Sequence, residues 1–297
     1  HLKIHTQYSI CEGAIKIDKL KDFCKENKIQ CLGLSDTSNL CGALEFAENI
    51  SKVGTQPIIG TQINFKYEDT TGLLPLIALN EKGYKRIINL SSKSYLENDN
   101  LSDPHLDIKE LLIETEGVII LSGTIHGLFG KLFEKGRFEE ISKLYQAISK
   151  KFNDRFYLEI QRHGDQNEIA FEKINLQQSS KLNIPIMATN EVYYLTNDMH
   201  EAHDALTCIG SKTYVNEKNR VKYSNQHYFK SDEEMSSLFS DLPEALKNNF
   251  NLPFRCNFRP QFSKPILPNI SSEKDGSADL ILKKDSFDGL KQKFLRS

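Results

Sequence analysis

Short apolar runs along this chain alternate with longer stretches in which apolar residues recur every three or four positions. The runs at 2–4, 31–34, 57–65, 73–79, 118–121, 157–160 and 184–188 are aliphatic or β-branched and bounded by turn residues, which predicts strands. Between most of them lie amphipathic patterns. Ile17, Leu20, Phe23 and Cys24 form one helical stripe, Ile141, Leu144, Tyr145 and Ile148 a second, and Ile169, Ile174 and Leu176 a third. A further helix is expected at 40–48. Repeated strand–helix alternation argues for a parallel sheet closed as a barrel, with an open doubly wound sheet as the rival.

Past Asn190 the rhythm stops. Residues 198–209, 232–239 and 242–251 read as helices, and Pro253, Pro260, Pro265 and Pro268 then punctuate an extended passage. Residues 269–278 are polar and read as a linker. From 279 to 296 helical periodicity returns through Leu280, Leu282, Phe287, Leu290 and Phe294, as at the start of another domain. The expected division is one domain over 1–268 and a linker with the beginning of the next over 269–297.

Composition narrows the function classes. The 297 residues carry 38 basic and 40 acidic side chains, a net charge of −2, so the chain as a whole offers nucleic acid no electrostatic attraction. Six cysteines occur without a C-x-x-C pair, which argues against a zinc knuckle and fits a reducing cytoplasm. No apolar run approaches the roughly 20 residues of a membrane span. With His1 in place of Met, the sequence is expected to be a trimmed piece of something longer.

In a parallel barrel, reactive side chains gather where strands end. Those ends supply His5 and Glu12, Asp36, Gln62, Thr124, His163, and Glu191 with Tyr193. Ordinary roles compete for each. A lone histidine such as His5 is more often hydrogen-bonded structure than ligand, and Asp36 reads as a turn or cap before the helix at 40–48. His163 reads equally as a former site residue or a loop residue. His200 and His203 lie on a helix pattern as surface or cap positions, while His105, His126 and His227 belong to no motif.

The segments HLKIHTQYSICEG, LSDTSNLCGALEF, PIIG, LSG, LEIQRHG and ATNEVYYL, followed by YFKSDEEMSSLFSDLPEALKNN and RCNF, resemble in order and spacing the PHP (polymerase and histidinol phosphatase) domain of bacterial DNA polymerase III alpha subunits. The likeness covers about residues 1–268. It implies a distorted seven-stranded (β/α)7 barrel with additional C-terminal helices. Active members of that superfamily hold a multinuclear metal cluster on His, Asp, Glu and sometimes Cys, and a bridging hydroxide attacks a phosphate ester. Carried over position by position, the ligand pattern fails at Lys3, Thr37, Gln62, Leu73, Thr124 and Tyr193. His5, Glu12 and Glu191 keep ligand chemistry, with His163 nearby. The resemblance therefore implies no catalytic, cofactor-binding or metal residue in this chain, and a Lys3 that pairs with Glu12 or Glu191 in place of metal.

The function so implied is a non-catalytic scaffold in a replicative polymerase, docking the proofreading exonuclease (epsilon) subunit and other replicase subunits. DNA would be met mainly through the rest of the polymerase, with Mg held by palm carboxylates outside this sequence. The alternatives are an active metal-dependent phosphoesterase or 3′–5′ exonuclease and, further off, a small-molecule phosphatase.

Overall fold

In the computed structural model, which describes residues 1–98, 103–265 and 277–295, the apolar runs form strands of one curled sheet. These are β1 (Lys3–Ile4), β2 (Cys31–Thr37), β3 (Gln56–Tyr67), β4 (Thr70–Ala78), β5 (Leu106–Asp107), β6 (Val118–Leu121), β7 (Phe156–Ile160), β8 (Ile186–Ala188) and β9 (Glu191–Val192). Their order is β8-β7-β6-β4-β3-β2-β1-β9, with β5 beside β3. The helices are α1 (Ile17–Asn27), α2 (Ala43–Ser51), α3 (Glu81–Leu96), α4 (Ile108–Leu111), α5 (Leu128–Glu134), α6 (Phe138–Phe152), α7 (Glu168–Leu182), α8 (His200–Ser211), α9 (Asp232–Leu238), α10 (Pro243–Asn251) and α11 (Ala278–Leu295).

The sheet is mixed rather than parallel throughout. β4 runs antiparallel to both β3 and β6. Only Glu68 and Asp69 separate β3 from β4, and a parallel pairing would need a crossover of a dozen residues or more. Glu68 adopts φ 54° to make the turn. Arg137 clamps it, with Nη1 2.6 Å from Asp69 Oδ1 and further bonds to Glu68 and Glu140.

Strand alternation divides the side chains between two faces. Outward residues pack under helices: Ile4, Leu34 and Ile59 against Leu20, Phe46 and Ile50, and Ile63, Leu76, Ile120 and Leu158 against Ile87, Phe129 and Tyr145. Each such side chain contributes about 1.5–3 kcal/mol by leaving water. Inward residues begin as an apolar floor of Ile58, Ile77, Ile119, Tyr157 and Met187. Two and four residues further along β3 and β7 the same face becomes polar, at Gln62, Glu159 and Gln161, all buried. The barrel is thus dry at its base and hydrogen-bonding at its top.

Two expectations about helices change. In α7 Ile169 is 73% exposed, and the buried stripe is Glu168, Phe171 and Asn175, with Asn175 Oδ1 accepting from the Tyr145 hydroxyl at 2.9 Å. In α8 His203 is buried rather than superficial. The helices after β9 stand where the pattern placed them. α10 returns to β8, where Asn248 and Asn249 donate to the carbonyls of Ile186 and Ala188 at 2.8 and 2.9 Å. The chain divides into His1–Gln261 and Phe262–Ser297, the second unit containing α11. The boundary expected at 268/269 and most of the 269–278 linker lie outside the described residues.

Candidate functional site

Lys3, the first residue of β1, points into the barrel and is wholly buried. Its Nζ lies 3.1 Å from Glu159 Oε1 on β7 and 3.3 Å from Glu191 Oε2 on β9. These are ionic contacts without a well-aligned hydrogen bond. Burial alone would pull the Lys3 pKa down, but Glu159 and Glu191 outweigh it and hold the ammonium above its ordinary value. Burial likewise pushes the Glu191 carboxyl up, and Lys3 and then His5 bring it well below the carboxylate range.

Both carboxylates are held by further donors. Glu191 Oε1 is 2.8 Å from His5 Nε2 and accepts from the Gln62 amide. Glu159 Oε1 accepts from Gln161 Nε2 at 2.9 Å and from the Thr189 hydroxyl. His5 is fixed on its other side by a 3.1 Å contact between Nδ1 and Ser9 Oγ.

Asp36 corrects the expectation of a helix cap. It is fully buried at the end of β2 and accepts from Thr6 N at 2.6 Å, Thr6 Oγ1 at 2.7 Å and Ser9 Oγ at 2.7 Å. It therefore shapes the loop that carries His5, while the cap position of α2 falls to Gly42. Glu12 does not reach Lys3 but accepts from the Thr37 hydroxyl at 2.6 Å. The ammonium's second partner is Glu159, which the sequence reading missed. Its signal was the alternation Tyr157, Glu159, Gln161, which puts the glutamate on the inward face.

A narrow cavity of 80 Å³ opens above this network, lined by Glu12, Gln62, Leu73, Thr124, Glu191 and Tyr193 among others. Six positions scattered along the sequence thus converge as the motif order implied. A larger groove of 920 Å³, lined by Tyr84, Phe258, Glu81, Lys85 and Arg259 among others, shares no lining residue with this cavity.

The residues present do not fit a multinuclear metal centre. A fixed ammonium lies between the two carboxylates where cations would have to bind, and like charges repel. Gln62 directs an amide donor at Glu191. Leu73, Thr124 and Tyr193 bring neither imidazole nor carboxylate, and burial keeps the Tyr193 phenol well above its ordinary pKa.

At the rim the structure brings His163 together with His126 and His227, which belonged to no motif, and with His200 and His203 of α8. His163 stacks on His227 with centroids 4.0 Å apart and planes 5° from parallel. His227 Nδ1 is 3.1 Å from the Glu191 carbonyl, and the Glu191 N–H donates to His163 Nε2 at 3.3 Å. His126 Nε2 lies 3.2 Å from Asp165 Oδ2. His203 contacts the Glu12 carbonyl at 2.7 Å, and His200 contacts the Tyr223 carbonyl at 3.1 Å. His227 is 36 residues beyond Glu191, and nothing local in its sequence announces that it returns to the barrel mouth.

Comparison with known proteins agrees with these motifs. Residues 1–163 match the family described as PHP domain. DNA polymerase III subunit alpha of Rickettsia conorii is 38% identical over 291 residues, covering 98% of this chain and 25% of that protein. The protein of the same name from Caulobacter vibrioides is 35% identical over 301 residues, covering 99% of this chain and 26% of that one. The chain thus spans about a quarter of the length of the curated relatives it matches. Among solved structures, an amidohydrolase from Chromobacterium violaceum aligns with a TM-score of 0.46 at 8% identity, over 65% of this chain and 86% of that one.

Proposed function

This chain belongs to the PHP domain family, and from that premise we propose that it serves as a non-catalytic scaffold within a bacterial DNA polymerase III alpha subunit. The observation that carries the reading is the Lys3 ammonium held between Glu159 and Glu191. A hydrolytic metal centre needs open coordination positions and a bound water whose pKa is lowered by the ion. A lysine fixed on the carboxylates supplies neither. What the arrangement does supply is cohesion, since one side chain ties β1 to β7 and β9 through the middle of the barrel.

The whole protein's activity follows from its relatives as part of the same proposal. It would be DNA-directed DNA synthesis in the cytoplasm, with Mg held by palm carboxylates outside this sequence. The partners would be the other replicase subunits, the proofreading exonuclease (epsilon) subunit among them, with DNA met chiefly through the rest of the polymerase.

Two assays on the purified chain test this. A phosphodiester substrate such as bis-p-nitrophenyl phosphate, offered with zinc or manganese, is expected to remain intact, and the exonuclease subunit is expected to co-elute with the chain. Metal-dependent turnover that is lost in Glu191→Gln would instead establish a working phosphoesterase.

A further inference from the structure

We propose that the rim of the barrel binds a single zinc ion between His163, Asp165 and His227. One ligand atom from each of the three lies within 4.8 Å of the others, and the two histidines are buried. Of the three, only His163 falls in one of the motifs that carry the family resemblance. Asp165 and His227 lie outside them, so this set differs from the dismantled cluster around Lys3.

The strongest observation concerns His227. Its Nδ1 faces the Glu191 carbonyl oxygen at 3.1 Å, an acceptor, so Nδ1 carries the proton and donates it. The lone pair is thereby left on Nε2, which is buried and has no hydrogen-bond partner. A buried nitrogen lone pair without a donor is unfavourable. An imidazole that donates one ring N–H to a backbone carbonyl and turns the other nitrogen toward its co-ligands has the arrangement usual for metal-bound histidine. The Asp165 carboxylate supplies the negative charge, with His126 Nε2 3.2 Å from its Oδ2.

Two imidazoles and one carboxylate form a borderline donor set suited to zinc, with a fourth position left for water from the adjacent cavity. Closure needs a defined movement. The two rings stack 4.0 Å apart, and the His163 Nε2 lone pair faces the Glu191 N–H and must leave it to ligate, since bonds of about 2.0–2.1 Å set donors about 3.3 Å apart. His163 is the ring able to swing, because its contacts to Glu191 N and Glu168 Oε1 are both long, at 3.3 and 3.4 Å. His227 stays anchored on the Glu191 backbone, whose side chain already neutralises Lys3. Binding here is therefore compatible with the ion-pair network beneath, and a single ion is all that these three groups serve.

The test is zinc titration of the full chain after chelator treatment, read by competition with a chromophoric chelator, with Co²⁺ absorption reporting the geometry. One equivalent is expected, with tetrahedral cobalt bands. His227→Gln and Asp165→Asn should each weaken binding by about tenfold or more, as loss of one of three protein donors implies. Asp165 sits on a half-buried loop, so Asp165→Asn keeps the test valid where the His227 variant fails to fold. A zinc equivalent equally tight in Asp165→Asn, or no saturable equivalent in the parent chain, overturns the proposal. So does an equivalent that survives both changes but vanishes in His5→Ala. The scaffold reading stands or falls separately, on phosphoesterase activity.

Discussion

Lys3→Ala withdraws the ammonium shared by Glu159 and Glu191 and leaves two carboxylates buried without their counter-charge. The expected cost is about 3–5 kcal/mol, the range for breaking a buried pair from one side, measured by urea unfolding. A triple variant with Lys3→Met, Glu159→Gln and Glu191→Gln should recover most of it, because removing all the charges together avoids leaving any unpaired. The pH dependence has a definite sign. The Glu191 pKa is depressed on folding, so its contribution is present above the ordinary value of 4.5 and is lost as pH falls through the lowered value. The Lys3 pKa is raised, so its contribution is present below 10.5 and is lost as pH rises through the higher value. The stability gap between the parent chain and Lys3→Ala should therefore be widest between about pH 5 and 10 and narrow on both sides. A gap independent of pH would show that packing, not charge, sets the cost. At this scale much of the site was legible. Lys3 and Glu191 stood in recognisable motif positions, and their pairing was one of two anticipated, the other being Lys3 with Glu12. Glu159 and His227 were not anticipated, because one looks like a strand residue until its facing is known and the other arrives from a distant loop.

Among the elements, β1 is only two residues long and depends on close approach to β2. A Cβ on Gly33 would meet the Leu2 carbonyl oxygen at 2.5 Å, and that backbone has no flexible end to yield. Gly33→Ala is expected to destabilise by about 1–3 kcal/mol, as overpacking does, and to disturb the Lys3 network directly above it. Thermal unfolding with an unshifted melting temperature would contradict this. α9 offers a milder case. Its Ser231 cap accepts from Glu234 N at 3.2 Å while Glu234 accepts from Ser231 N at 2.7 Å. Ser231→Ala should cost about 0.5–2 kcal/mol. The seven expected strands are all present, since each buries enough aliphatic surface to mark its run. The direction of β4 was not legible, because apolar alternation is the same for parallel and antiparallel neighbours. The turn at Glu68-Asp69 is held by Arg137, an interaction 69 residues distant from Glu68.

For the molecule as a whole, near-neutral charge and a barrel mouth locked by ion pairs point the same way. Both fit the proposed role of a folded support better than turnover of phosphate esters. Primer extension by the chain alone is expected to be absent, since the carboxylates proposed to hold Mg lie outside it; templated incorporation that survives removal of contaminating polymerase would contradict the scaffold assignment. The central claim is that an ammonium has taken the place of a multinuclear metal centre. Elemental analysis after saturation with zinc and manganese, followed by removal of free metal, tests it most directly. The account predicts no more than one ion per chain, lost in Asp165→Asn, with the Lys3 network unchanged. Two or three tightly held ions per chain would contradict it.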